Sequence, residues 1–230
     1  MNRIITRGII LSRTDYGEAD RILTMLTPDH GKLRCMARGV RKAKSKLAGS
    51  IELFSTADIT FIEGRGEIAT LISARLIKHY GRIVHDIDRV QLGYELIKIL
   101  DRATEEHPEP DYYRLLEQSF AALDDSAIDP GLIRIWFEAR LLSLGGHPPN
   151  LRTDSSGHKL PPDKNYGFDL ESMTLTPQDS GKFTAGHVKV LRLLFDDHKP
   201  QELAKVNGLD KLIPELAPLV NGMLKSFVRT

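Results

Sequence analysis

The amino-acid sequence predicts a multidomain fold with α and β parts, in which a small β-barrel at the amino end precedes an all-α helical domain. Two patterns predict it. Short β-branched runs separated by glycine turns fill residues 1–80, and apolar spacings of three and four begin near Gly81. Charge divides the chain at the same place, because residues 1–80 hold 14 Lys and Arg against 8 Asp and Glu, whereas residues 81–230 hold 18 against 23. We therefore expect two domains, 1–80 and 81–230, with different functions.

Five short strands are predicted in the first domain. Their residues are mostly Ile, Thr, Leu and Phe, and turn signals such as Pro28-Asp29-His30-Gly31 separate them. The predicted strands are 4–13, 21–27, 32–38, 51–62 and 68–77. Five strands in about 80 residues are typical of an OB-fold β-barrel.

Helices are predicted through most of the second domain. Apolar residues at helical spacing indicate helices over 83–100, 111–123, 130–144, 184–197 and 214–228. Asp129 and Pro130 form a start signal for the third of these, with the acid as cap and the proline in the first turn. Residues 147–183 are rich in Pro, Gly, Asp and Ser, and we expect them to form an irregular insert.

The single cysteine limits the chemistry and the compartment. Cys35 is alone, so no internal disulfide or thiolate metal cage can form. It lies in the middle of a predicted strand beside Met36, where a buried structural thiol is expected rather than a nucleophile. No apolar run approaches 18 residues, and the first residues lack signal-peptide architecture. We therefore expect a cytoplasmic protein that does not associate with membranes.

One stretch, residues 32–47, is strongly basic. It holds seven basic residues and no Asp or Glu. These residues are Lys32, Arg34, Arg38, Arg41, Lys42, Lys44 and Lys46. Such a run is either a solvated surface segment or the contact for a polyanion, and we favour a nucleic acid because ordinary surfaces mix charges of both signs. Arg65, at the tip of a predicted hairpin, is a further candidate contact.

Aromatic side chains that could stack on bases are scarce in this domain. Residues 1–80 contain only Tyr16, Phe54, Phe61 and Tyr80. Phe54 and Phe61 lie in strand patterns and are expected in the core, which leaves Tyr16 as the candidate for stacking. We therefore expect binding through phosphates, with weak preference among bases.

Catalytic and metal-binding alternatives have less support. Asp15, Glu18 and Asp20 could hold the metal of a nuclease, but acids at a turn are explained by turn formation and solvation. Four potential zinc ligands lie in the insert at a spacing that matches no known arrangement. They are His147, Asp154, His158 and Asp163. We expect no catalytic residue, no metal and no cofactor.

Three segments of the first 55 residues carry a family resemblance. They are Tyr16-Gly17-Glu18-Ala19-Asp20, the run LTPDHGK at 26–32, and RGVRK at 38–42 with Ser45 following. They closely resemble the RecO family of bacterial DNA repair and recombination mediators. Beyond residue 55 only the layout of helices and insert is similar.

The resemblance implies an amino-terminal OB domain, a helical domain and a non-catalytic role. Proteins of this family bind single- and double-stranded DNA, anneal complementary strands, and help load RecA onto DNA coated by single-strand binding protein. They act with RecR and often with RecF, which implies a nucleoid-associated location. The family's DNA contacts correspond here to Arg38, Arg41, Lys42, Lys44 and Lys46.

The insert departs from the family pattern. Many relatives carry two C-x-x-C pairs there that hold zinc, whereas this chain has Thr153 and Ser156 at the first pair and nothing in place of the second. The resemblance therefore implies that the zinc site is lost. The insert is then held by packing, or is mobile. The side chains available for packing are Leu160, Tyr166, Phe168, Leu170 and Leu175.

A different function is compatible with the same fold. An OB-fold adaptor could bind mainly partner proteins such as RecR, with the basic loop merely solvated. Loss of DNA binding on removal of the loop charges would distinguish the DNA-binding mediator from this adaptor.

Overall fold

The computed structural model describes residues 3–45, 47–64, 66–104, 107 and 109–227. The chain forms two compact units, Met1–Ser126 and Ala127–Thr230. Among the residues described, the first unit contains five strands, two α-helices and two short 3-10 helices, and the second contains four α-helices and a two-stranded sheet.

The first unit is built on a closed five-stranded barrel, which confirms the predicted OB-type fold. Its strands are β1 (Arg3–Tyr16), β2 (Asp20–Thr27), β3 (Gly31–Ala37), β4 (Ser55–Ile62) and β5 (Ala69–His79). They are hydrogen-bonded in the order β1-β2-β3-β5-β4, and β4 pairs with β1 to close the barrel. A bulge between Ile10 and Ser12 bends β1, so that its two halves can serve different neighbours.

The barrel interior is filled by the alternate residues of each strand. Leu23, Cys35, Ile59 and Phe61 are fully buried there. Their neighbours in sequence point outward, because side chains alternate across a strand. This alternation is why the strand pattern of the sequence predicted the core.

Two helices, α1 (Ile87–Ala103) and α2 (Pro110–Leu123), belong to the same compact unit as the barrel. The carboxylate of Asp86 caps α1 by accepting hydrogen bonds from the amides of Asp88 and Arg89. An aromatic cluster joins the helices to the barrel, since the Phe54 ring lies 5.4 Å from both the Tyr94 and Phe120 rings, centroid to centroid.

The fourth strand was predicted to begin at residue 51, but β4 begins at Ser55. Residues 51–54 form an irregular, bent segment before the strand, and Phe54 has a φ of +55°. This left-handed backbone turns the ring away from the barrel interior toward α1. Phe54 is therefore buried, as predicted, but against helices rather than in the strand core.

The second unit packs around α3 (Pro130–Leu144) and α6 (Leu209–Phe227). Asp129 caps α3 through the amides of Gly131 and Leu132, with Pro130 in the first turn, as the sequence predicted. Two shorter helices complete the unit, α4 (Ala185–Phe195) and α5 (Pro200–Leu203). His187 of α4 contacts the carboxylate of Glu215 of α6 at 3.1 Å.

The last helix begins earlier than predicted. It starts at Leu209, five residues before Pro214, and contains Pro218 as well. Both prolines lie on the exposed side, four residues apart, so solvent can reach the carbonyls that lose their intrahelical partners. Pro214, the predicted start of this helix, therefore lies inside it.

The insert 147–183 is more regular than predicted, because it contains a hairpin of β6 (Tyr166–Asp169) and β7 (Thr174–Pro177). Tyr166 and Leu175 are fully buried, whereas Leu170 is exposed.

Side-chain hydrogen bonds order residues 150–158 of the insert. Asp154 accepts from the amides of Ser156 and His158, and Asn150 accepts from the amide of Thr153. No cysteine is present in the insert, and no cluster of three or more potential metal ligands occurs among the residues that the structure describes. The insert therefore lacks the thiolate ligands of the zinc site that the family resemblance describes.

None of the described helices combines the length and the apolar content that a membrane span requires.

Candidate nucleic-acid interface

The outer face of β1, β2 and β3 presents a polar and partly apolar surface. The ladders place Arg34 opposite Thr24, and Thr24 opposite Ser12. In the next row, Met36 lies opposite Ile22. This side of the second and third strands is where OB folds bind oligonucleotides. Thr14 completes this second row, because it lies opposite Ile22 on the other side. We call the six residues of these two rows the barrel face. They are Ser12, Thr14, Ile22, Thr24, Arg34 and Met36.

The basic loop, residues 38–45, is held at the end of the barrel face. Val40 points into the barrel core and is only 2% exposed. The amide of Gly39 donates to the carboxylate of Asp20 at 2.7 Å, and the amide of Arg41 donates to the carbonyl of Ala19 at 2.9 Å. Gly39 has a φ of +65°, which favours glycine at this turn. The loop is thus fixed to the β1–β2 turn by its backbone, and its charged side chains remain outside.

Asp15 lies between two cations at the rim of this site. Its Oδ1 accepts from Nε of Arg21 at 2.7 Å, and its Oδ2 is 3.4 Å from Nε of Arg41. The hydrogen bond from Arg21 is the main cause that lowers the pKa of Asp15. Arg41 also donates to the carbonyl of Gly17 at 3.2 Å. Part of the charge of Arg41 is therefore already compensated within the protein.

Lys32 also has a partner within the protein. Its ammonium donates to the backbone carbonyl of Asp101 at 2.6 Å and to the Oδ1 of the same residue at 3.2 Å. This contact fastens β3 to α1 within the first unit. Lys32 thus has a structural partner within the first unit, and its contact with DNA stays a prediction.

Four of the predicted contacts remain available. Arg34, Arg38, Lys42 and Lys44 are exposed, and none of them forms an ion pair with any residue that the structure describes. Tyr16 is 56% exposed at the end of β1, beside the loop. The structure thus brings the barrel face, the basic loop and one exposed ring together.

Two predicted contacts, Lys46 and Arg65, lie outside the described residues. Their role stays a prediction.

Two acids of the first turn, Asp15 and Asp20, have partners within the protein. Asp15 binds Arg21 and Arg41, and Asp20 accepts the amide of Gly39. In the described part of the chain they join no metal-ligand cluster. These contacts account for Asp15 and Asp20 as residues that form the turn and fix the loop.

Several residues of the interface were not singled out from the sequence. The alternation around Arg34 could have indicated Ile22 and Thr24, because cross-strand neighbours share a face once the hairpin register is known. Val40 gave a weaker signal, as one apolar residue in a basic run. The pairing of Asp15 with Arg41 had no local signal, since the two are far apart in sequence.

Comparison with known families decides which group of proteins this site belongs to. A family model described as the amino-terminal part of recombination protein O matches residues 1–80. A second model, for the carboxy-terminal part, matches residues 84–225. The chain belongs to the RecO family. The resemblance seen in the first 55 residues is thereby confirmed, and it extends over the helical part.

Individual RecO proteins give the same result. The DNA repair protein RecO of Dehalococcoides mccartyi is 32% identical over 203 residues, which cover 85% of this chain and 79% of that protein. The DNA repair protein RecO of Bifidobacterium longum subsp. infantis is 37% identical over 149 residues, which cover 64% and 62%. For that of Listeria welshimeri the values are 34% over 145 residues, 63% and 56%. The matches to the last two span less than two thirds of those proteins.

Proposed function

We propose that this protein is a DNA-binding recombination mediator in DNA repair, which anneals complementary strands and assists the loading of RecA onto DNA coated by single-strand binding protein. Membership of the RecO family supports the repair role. Its proposed partners are single- and double-stranded DNA, RecR and single-strand binding protein, with RecF and RecA as further partners. The role is non-catalytic.

One observation carries the proposal: four cations that form no ion pair with any described residue lie on or beside an OB barrel face. Arg34 lies on that face, and Arg38, Lys42 and Lys44 lie on the loop at its end. Each phosphate that such a cation neutralises releases counterions, which drives binding. The backbone contacts of Gly39 and Arg41 hold these charges in place before DNA arrives.

Binding through phosphates suits a protein that anneals strands. Among the side chains at the interface only Tyr16 is an exposed aromatic residue. A strand held mainly by its phosphates keeps the base edges free for pairing with a second strand. We expect weak base preference and a steep dependence of affinity on salt.

Replacement of Arg34, Arg38, Lys42 and Lys44 by alanine tests the proposal. A matched control replaces four exposed lysines of the second unit, Lys189, Lys205, Lys211 and Lys225, and removes the same charge. We expect the first variant alone to lose annealing of complementary fluorescent oligonucleotides. Its salt slope for single-stranded DNA should fall by roughly 0.7 for each phosphate that the protein no longer neutralises.

Equal loss in both variants would mean that net charge, rather than this interface, binds DNA. Unchanged annealing in the first variant would contradict the proposal. If DNA affinity is absent from the unaltered protein while RecR still associates, the adaptor function is favoured instead.

A further inference from the structure

Exposed apolar side chains are concentrated in one segment of the first unit, away from the basic loop in sequence. Of the ten large apolar residues that are most exposed in the described chain, five lie within residues 72–87. These are Ile72, Leu76, Ile77, Val84 and Ile87. Single exposed apolar residues need no explanation, but a local concentration indicates an interaction surface.

The strand in this segment has an open edge. β5 pairs with β4 along its length, whereas its pairing with β3 stops at Thr70. Residues 72–79 have no partner in the β3 ladder and take part in no turn or loop backbone hydrogen bond with any described residue. The last five residues, 75–79, are all exposed. Because successive side chains face opposite sides, both faces of the strand are open there.

Residues 68–85, which include β5, carry positive charge only, because they contain no Asp or Glu. Arg75 pairs with Asp58 of β4 at 2.9 Å but stays 83% exposed, and the ammonium of Lys78 lies 4.6 Å from the centre of the Tyr80 ring. Arg82 follows at the end of the strand and is exposed.

We propose that the open edge of β5 at residues 75–79 binds an extended segment of a partner protein that carries both acidic and apolar residues. The segment adds a strand to the sheet through main-chain hydrogen bonds, the mode known as β-augmentation. Its carboxylates face Lys78 and Arg82, and its apolar side chains cover Leu76 and Ile77. This inference depends on the geometry of β5 and not on the proposed DNA interface.

The chemistry of the edge disfavours DNA as its ligand. No exposed Phe, Trp or Tyr lies within residues 69–87. Aliphatic side chains such as Leu76 and Ile77 gain nothing from phosphates, whereas they gain about 25 cal/mol for each Å² buried against apolar groups. A protein segment can pair its carboxylates with the basic residues and bury its apolar side chains against the aliphatic ones.

A second copy of the chain is disfavoured as well. Antiparallel self-pairing centred between Leu76 and Ile77 would place Arg75 opposite Lys78 of the other copy, twice. Like charges directly opposite each other destabilise a strand pair. Bulges at Ile72 and Ile77 further disturb the edge, in the way that sheet proteins avoid self-association. The edge therefore selects against its own sequence and in favour of an acidic strand.

Selection from a random peptide library tests the proposal. The full-length protein is the bait, and the library consists of displayed peptides of about ten residues, a length that matches a strand. We expect enriched peptides that alternate Asp or Glu with β-branched residues. Binding should weaken at least about tenfold, or 1.4 kcal/mol, when Lys78→Glu and Arg82→Glu are combined.

Matched variants separate the edge from the rest of the surface. The combined Lys189→Glu and Lys211→Glu change reverses two exposed charges on α4 and α6 and should leave peptide affinity unchanged. Leu76→Ser should weaken binding, whereas Val206→Ser, at an exposed residue elsewhere, should not. An enriched peptide with alternate amides N-methylated should fail to bind, since it cannot pair its backbone.

Hydrogen exchange identifies the mode of binding. A bound peptide should slow exchange of amides within residues 71–79. Protection only elsewhere, the absence of an enriched acidic family, or indifference to the Lys78 and Arg82 changes would each overturn the proposal. So would a dimer of the free protein that the same changes dissociate, or loss of DNA annealing in that variant without any peptide binding.

Discussion

At the residue scale, Asp15 shows how a single carboxylate sets the charge that the DNA interface presents. It binds Arg21 and Arg41, and the pKa of its carboxyl is lowered chiefly by the hydrogen bond from Arg21. A folded pKa below the unfolded value means that the ion pairs contribute stability above the unfolded value of about 4. That contribution disappears as the pH falls through the lowered pKa. At neutral pH, Arg41 is therefore held by Asp15.

The first prediction concerns Asp15→Asn. Removal of the carboxylate frees Arg41 and adds one positive charge to the interface, so affinity for single-stranded DNA should rise. The salt slope should increase by roughly 0.7–0.9, the contribution of one further phosphate contact. Fluorescence anisotropy at several salt concentrations measures both quantities. Asp210→Asn on α6 makes the same charge change elsewhere and should leave them unaltered; a fall in affinity for Asp15→Asn would instead mean that Asp15 positions Arg41 for DNA.

A second prediction at this scale concerns Cys35. Burial in the barrel core raises the pKa of its thiol to about 12, so almost no thiolate exists at pH 8. The thiolate is the reactive form, and we expect reaction with a disulfide reagent to be at least about a hundredfold slower in the folded protein than in denaturant. Absorbance of the released thiol gives both rates. Similar rates would place Cys35 on the surface and contradict the barrel.

At the element scale, the contact between Phe54 and Gly93 decides how α1 meets the barrel. A Cβ on Gly93 would lie 2.6 Å from Cε1 of Phe54. No real contact is that short, so a side chain at this position would force Phe54 or the helix to move. Glycine in the middle of a helix normally costs about 1 kcal/mol relative to alanine. Here it permits the close approach that buries the ring.

The third prediction follows from this contact. Gly93→Ala should lower the free energy of unfolding by about 1–3 kcal/mol, the range for overpacked cores, despite the better helix propensity of alanine. Gly222→Ala in α6 is the control, because its Cβ would meet only Leu170 at 3.9 Å, an ordinary contact. That change should be neutral or stabilising. Urea denaturation of both variants measures the difference, and a stabilised Gly93→Ala would show that Phe54 does not sit against α1.

The contrast between Phe54 and Phe61 shows how far sequence predicts elements. Phe61 follows the period-two pattern of β4, and its burial in the barrel was predicted. Phe54 continues the same apolar run, but its positive φ and its helix partners depend on tertiary contacts that no local pattern contains. The basic loop shows the same contrast. Its charge is visible in the local sequence and was predicted, whereas its attachment through Asp20 and Asp15 joins residues distant in sequence and was not.

At the scale of the whole molecule, packing groups α1 and α2 with the barrel, and the first compact unit ends at Ser126. The family models, in contrast, meet between residues 80 and 84. The difference has a physical source, because Tyr80 is 2% exposed and its ring lies 5.6 Å from that of Phe120. The barrel thus has an outer apolar side that needs the helices.

The last prediction tests whether an independently folding domain ends near residue 80 or at residue 126. A chain of residues 1–126 should unfold cooperatively in urea and bind single-stranded DNA with the salt slope of the full protein, because it keeps the barrel, its helices and the basic loop. A chain of residues 1–80 should associate or remain partly unfolded. It exposes Phe54 and Tyr80, and each buried side chain of this size contributes about 1.5–3 kcal/mol. Cooperative unfolding of 1–80 at equal stability would instead make the barrel the independent domain.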